Sequence, residues 1–228
     1  MSTCAHPASL FWHLYGSAYD AIWDSPLTAR LNDELLFAVT RCVHVLRGSR
    51  VVDLGCGTGL SARSFTRAGC HVFGIDSEPV VLERAQSKGW LAESFLGDAT
   101  ATSLPDSCAD IAVLSNLLQV CANPVATLDE AARLVSDGTL VVVWPRGDLT
   151  LSGLLHEDRR AGRSALSALL AYIGRMGFGL MGALVGARSW SSPALDEMLD
   201  RWAGTRGWKV ANRGSLGRIS SYRILCSR

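Results

Sequence analysis

The chain has 228 residues, 48% of them apolar, and a formal net charge of +1. That length and apolar content suit one domain with a full core, and the near-neutral balance argues against a nucleic-acid binder, which usually carries a basic face. The seven cysteines form no C-x-x-C pair and meet no histidine cluster, so no metal set is expected, and free thiols suit a reducing cytoplasm.

Residues 1–8 lack a basic segment followed by an apolar one, so no secretory leader is expected. Residues 9–24 and 27–46 read as two helices parted at Ser25-Pro26, with the proline at a helix start. A strand over 50–55 runs into Gly55, Gly57 and Gly59, and a helix opens at Thr58 or Ser61. A second strand at 71–75 is followed by a helix from Ser77 through Ser87, then a third strand near 93–97. Ala109 to Ser115 is a continuous apolar run, the pattern of a buried parallel strand. Pro124 opens a helix that ends near Asp137-Gly138, and Thr139 to Trp144 forms a fifth strand. The tail gives two strands, 208–216 and 219–226, joined by a glycine turn. Strands alternating with helices predict an α/β fold, a doubly wound and mainly parallel sheet.

Residues 147–191 exceed what the bare fold needs. A polar run, His156 to Arg160, precedes an apolar run from Ala165 to Gly186 that is long enough to span a bilayer. Arg175 near its middle and its five glycines argue against a spanning helix. A pair of helices forming a lid over a substrate pocket is expected, with Met176, Phe178 and Met181 as an adaptable apolar wall. The layout is then one domain over 1–228: cap helices (9–46), a binding core (48–146), the lid (147–191), and a last helix with a strand pair (192–228).

The segment Val51 to Gly59 carries the chemistry. Glycine lets a ligand approach bare backbone, and a strand–loop–helix of this kind binds nucleotide-like ligands at the carboxyl ends of parallel strands. The third glycine comes one residue too early for the dinucleotide pattern G-x-G-x-x-G. Asp53 sits inside the motif, where a carboxylate would repel a pyrophosphate but suit a cationic amino group. Asp76 ends the second strand, where an acid can accept from a ribose diol. Asp98 ends the third, placed to accept from an adenine amino group.

Glycines 55, 57 and 59, followed by Asp76, Asp98 and the Leu104-Pro105-Asp106 turn, resemble the class I S-adenosylmethionine (SAM)-dependent methyltransferase family over roughly residues 48–146. The segment Leu114 to Cys121 looks like its quinone and natural-product members. The resemblance implies a seven-stranded Rossmann-like sheet with an antiparallel carboxy-terminal pair and a helical cap. It implies SAM as cofactor, with Gly55, Cys56, Gly57 and Gly59 in the loop and Asp53 near the amino end. Asp76 and Ser77 would lie at the ribose, Asp98 and Ala99 at the adenine, and Ser115 at the fourth strand's end. On the amino-terminal helix, Tyr15 and Tyr19 share a face at i, i+4, and an aromatic hydroxyl there would reach the SAM carboxylate.

Methyl transfer needs an aligned nucleophile, a dry site and a modest base. Asn116, His13 and His156 are the candidate catalytic residues, and Trp144 and Arg146 candidate substrate contacts. The expected function is methylation of O, N or C on a small organic molecule, natural-product, quinone-like or lipid-like. The alternatives are a SAM-binding protein with a non-methylating role such as cyclisation, and a peripheral membrane enzyme anchored by residues 165–186. The expected partner is a small-molecule substrate, with no nucleic acid and no membrane, in a monomer or homodimer.

Overall fold

A computed structural model describes residues 19–43, 47–148, 150–184 and 190–227, with side chains throughout except at 178–184. Seven strands form one sheet: β1 (Arg50–Leu54), β2 (His71–Asp76), β3 (Glu93–Leu96), β4 (Ile111–Ser115), β5 (Thr139–Pro145), β6 (Lys209–Leu216) and β7 (Ser220–Cys226). Their order is β3-β2-β1-β4-β5-β7-β6, with β1 to β5 parallel and β7 antiparallel to both β5 and β6. This is the Rossmann-like sheet with an antiparallel final pair that the sequence predicts. Strand order reverses between β1 and β4, and a crevice opens at the carboxyl edge at such a switch point.

Side-chain alternation along the central strands builds two core layers. Val52 and Leu54, Ala112 and Leu114, and Val142 and Trp144 face α4 (Pro124–Leu134) and α7 (Ser192–Arg206). Val51, Val113, Val141 and Val143 face α1 (Pro26–Thr40) and α2 (Ala62–Arg67). The remaining helices are α3 (Pro79–Ser87), α5 (Leu151–Arg160) and α6 (Ala165–Leu184), and residues 19–23 are also helical.

Local chemistry sets the helix starts. Ser25, Asn123 and Ser191 cap α1, α4 and α7 by accepting from the backbone N–H three residues on, each with proline in the first turn. The α1 helix stops at Thr40, short of the expected 46. Likewise α4 stops at Leu134 rather than near Asp137. A Cβ at Gly138 would lie 2.4 Å from the Asp110 carbonyl oxygen, so the chain passes closely there as it enters β5.

The insertion does form a helix pair, and it is clamped by buried charge. Glu157 on α5 pairs with Arg30 on α1. Its neighbour Asp158 accepts from Arg175 Nη1 on α6 at 2.7 Å. The Arg175 guanidinium also lies over the Trp23 ring, 5.3 Å from its centroid. A Cβ at Gly174 would come within 3.3 Å of Ile22, so α6 packs closely on the 19–23 helix. No helix among the described residues is long and apolar enough to cross a membrane.

Candidate active site

The carboxyl edge of the sheet gathers the sequence motif. After β1 the loop takes positive φ at Gly55 (65°), Gly57 (53°) and Gly59 (79°), a region that L side chains rarely enter. A Cβ at Gly55 would sit 2.5 Å from Leu117 Cδ1, because the segment after β4 leans on the loop. A Cβ at Gly57 would meet no atom of the described residues within 4 Å, so among them the loop's middle faces open space. Cys56 turns inward. A Cβ on Gly74 in β2 would press on its Sγ at 2.8 Å, so glycine there makes room for the thiol. Burial pushes the Cys56 thiol well above its ordinary range, so it stays protonated.

Two carboxylates flank the loop. Asp76, at the end of β2, accepts from the Gly57 N–H at 2.8 Å and from the Glu78 N–H at 3.0 Å. With backbone donors on both oxygens, the carboxylate still keeps acceptor capacity for a ligand hydroxyl. Burial raises the Asp76 pKa, opposed by the backbone N–H groups of Glu78, Gly57 and Ser77. Asp53 is only 1% exposed. Its Oδ2 accepts from Ser61 Oγ at 2.5 Å, while Oδ1 is buried with no partner. Burial above all pushes the Asp53 pKa up to about 7, with Asp76 adding to the rise and the Ser61 hydroxyl opposing it.

The helix at 19–23 closes one side of this loop. Asp20 Oδ1 accepts from the Thr58 hydroxyl and from Lys88 Nζ, each at 2.6 Å, and Lys88 also donates to the Thr58 carbonyl at 3.0 Å. Tyr19 lies within electrostatic reach of Asp53 and Asp76. Desolvation first, then Asp20, Asp53 and Asp76, raise its pKa, so the phenol stays neutral and able to donate. Sequence reasoning missed Asp20 and Lys88. One signal was present: Lys88 is one of two lysines in an arginine-rich chain.

The other candidates fall at graded distances from the loop. Asp98 is exposed, and its Oδ1 accepts from both the N–H and the hydroxyl of Thr100 at 2.8 Å. That turn holds one oxygen and leaves the other outward. Ala99 is half-buried against the core, Ser77 is exposed, and Ser115 is half-buried at the last position of β4. Asn116 follows it at φ 54°, a left-handed position that asparagine tolerates. Gln119 fixes that turn by donating to the Asn116 carbonyl at 2.7 Å. His13 and Tyr15 lie outside the described residues.

His156 stands on the exposed side of α5, beside Ser152, Arg159 and Arg160 in a shallow recess. That helix instead buries Gly153, Leu154 and the two residues next to His156, Glu157 and Asp158. Trp144, a candidate substrate contact, does not reach the site's surface. It is buried in the core, its indole N–H donating to Ser192 Oγ at 2.9 Å, because the alternation of β5 turns it towards α7. Arg146 pairs with Asp148 at 2.6 Å on the surface. Among the described residues no group of three or more His, Cys, Asp or Glu is placed to hold a metal.

Residues 52–143 match a family model described as a methyltransferase domain. This segment belongs to the class I SAM-dependent methyltransferase family. Over 95 residues the chain is 32% identical to the malonyl-[acyl-carrier protein] O-methyltransferase of Serratia marcescens, covering 42% of this chain and 37% of that protein. Over 178 residues it is 29% identical to the ubiquinone biosynthesis O-methyltransferase of Alkalilimnicola ehrlichii, covering 76% and 66%. The chain thus spans between a third and two thirds of these two curated relatives. The fold aligns with magnesium protoporphyrin IX methyltransferase from Synechocystis PCC 6803, solved with S-adenosylhomocysteine bound. That TM-score is 0.59 at 16% identity, covering 89% of this chain and 84% of that one.

SAM is the cofactor this family implies, and the residues present fit it. The partnerless Asp53 oxygen suits a ligand ammonium, Asp76 retains acceptor capacity at the end of β2, and Gly57 leaves the approach open.

Proposed function

We propose that this chain is a methyltransferase that moves the SAM methyl group to O, N or C of a small organic molecule, natural-product, quinone-like or lipid-like. One observation carries the reading. A buried carboxylate with an unmet oxygen, Asp53, and a strand-end carboxylate tied to the loop, Asp76, flank a glycine that faces open space. A buried acceptor without a partner is costly, and a cationic amino group would satisfy it.

Bound there, SAM would supply an electrophilic methyl group on a sulfonium. Asp53 would take the ammonium, Asp76 with Ser77 the ribose hydroxyls, and Asp98 with Ala99 the adenine edge. Tyr19, neutral and hydrogen-bond donating, faces the carboxylate end. Gly55, Gly57 and Gly59, with Cys56 packed beneath, shape the floor, and Ser115 borders it at the end of β4.

Asn116 is the group proposed to meet the acceptor, since its left-handed turn sets it at the switch-point edge. The helix pair α5 and α6, clamped onto residues 22–23, walls the site against water. His156, exposed on α5, would need that pair to move before it could take the acceptor's proton.

The test is calorimetric titration of the full chain with SAM, then incubation with phenolic, carboxylic and amine acceptors while S-adenosylhomocysteine is quantified. The reading expects binding, with product formed in proportion to one acceptor class. Both curated relatives are named as O-methyltransferases, so oxygen acceptors come first. Absence of SAM binding overturns the donor site. Binding without product across all classes favours a non-methylating role.

A further inference from the structure

Helix α6 is amphipathic in the reverse sense. Its inward face carries Ala168, Gly174 and the buried Arg175, which reaches Asp158 and Trp23. Its outward face carries Leu166, Leu169, Leu170, Ile173 and Met176, each 43–68% exposed. Their spacing of three, one, three and three lines them along one side, a stripe about 15 Å long at 1.5 Å per residue. Scattered exposed leucines are ordinary, but a contiguous apolar stripe marks an interaction surface.

Charge separates the candidate occupants. From Thr150 to Gly177 the two acids, Glu157 and Asp158, are both buried and paired with arginine. The exposed ionisable groups of that stretch are His156, Arg159 and Arg160, all basic. They sit on α5 just before the corner that leads into Leu166. A second copy docked on this face by two-fold symmetry would set the same arginines near one another. An anionic surface would neutralise them.

We propose that α6 lies in the headgroup region of an anionic phospholipid bilayer, its leucine stripe buried and Arg159 and Arg160 against lipid phosphates. Interfacial helices bind in this way, through apolar burial and attraction to anionic lipid. With no described helix able to cross, the contact is peripheral and reversible. The inference holds whatever molecule is methylated.

The experiment is flotation of the full chain with vesicles of phosphatidylcholine alone or mixed with phosphatidylglycerol. Wild type floats with the mixed vesicles, less so at high salt. The triple variant Leu166→Ser, Leu170→Ser, Ile173→Ser loses roughly tenfold or more in partition, while its circular dichroism and SAM titration match wild type. Arg159→Glu with Arg160→Glu, remote from the core, abolishes the preference for phosphatidylglycerol. The proposal is overturned if wild type floats with neither vesicle, or if the triple variant floats as well as wild type. It is equally overturned if light scattering shows a dimer that the triple variant dissociates while no vesicle is bound.

Discussion

The Thr58 hydroxyl, inside the glycine loop, donates to Asp20 Oδ1 at 2.6 Å across 38 residues of chain. The same oxygen takes Lys88 Nζ, so one carboxylate ties the amino-terminal helix to the loop and to the end of α3. The loop is thereby held before any ligand arrives, which lowers the ordering cost of binding. Asp20→Ala removes both contacts. The expected result is a SAM Kd raised roughly five- to tenfold, about the net worth of one ordinary hydrogen bond because the loss reaches the ligand only through the loop, with little change in Tm. Calorimetric titration checks it, and an unchanged Kd would show that the latch does not shape the site.

Gly55 and Gly57 separate fold from ligand. Gly55→Ala drives a Cβ against Leu117 at positive φ, whereas Gly57→Ala adds only the left-handed strain of roughly 1–2 kcal/mol. Gly57→Ala is expected to unfold close to wild type yet bind SAM at least tenfold more weakly, because its methyl enters the open face. Asp76→Ala is expected to cost about 1.5–3 kcal/mol of SAM binding. Gly55→Ala should lose stability first. Thermal melts alongside titrations resolve the three, and a Gly57→Ala that binds normally would place the ligand elsewhere.

The buried Asp53 has a testable sign. Its folded pKa, about 7, lies above the ordinary value of 3.8 for a free aspartate, so the folded protein holds an extra proton between those values. Its contribution to stability is full below about pH 4 and is lost as pH rises through 7. Asp129 and Glu130, whose pKa values are lowered by arginine and other hydrogen-bond donors, act in the opposite sense at more acid pH. The difference between wild type and Asp53→Asn should therefore show the falling slope between pH 4 and 7. A ligand ammonium favours the carboxylate, so SAM binding should release a proton and tighten as pH rises towards 7. Titration in buffers of different ionisation enthalpy measures that proton; none released at pH 6 would exclude an Asp53–ammonium contact.

Asp158 and Arg175 clamp the helix pair. Removing one partner strands the other charge in the interior, a loss of about 3–5 kcal/mol. Asp158→Ala should lower the denaturation midpoint strongly, and adding Arg175→Met should recover much of the loss. SAM binding should weaken in the single variant, since Arg175 stacks on Trp23 in the same short helix as Asp20. Equal stability of the single and double variants would mean that the pair is not coupled.

The sequence by itself determined the sheet and the glycine loop with its strand-end acids. Each parallel strand is short, apolar and punctuated, so strand positions were legible within about two residues, and glycine spacing with strand-end acids encodes a local backbone shape. Ser25-Pro26 likewise announced its helix start, because a cap is a contact over three residues. What only the tertiary structure decided depends on distant partners. Asp20 and Lys88 meet at Thr58 because the amino-terminal helix folds over the loop. The run His156 to Arg160 reads as solvated, yet its two acids are the buried ones, since Arg30 and Arg175 arrive from other helices to neutralise them. Met176 of α6 reads as part of a wall facing the site and instead faces outward with the helix's leucines, because the charge pair on the opposite side fixes the helix's rotation; the side chains of Phe178 and Met181, the rest of that wall, lie outside the described residues.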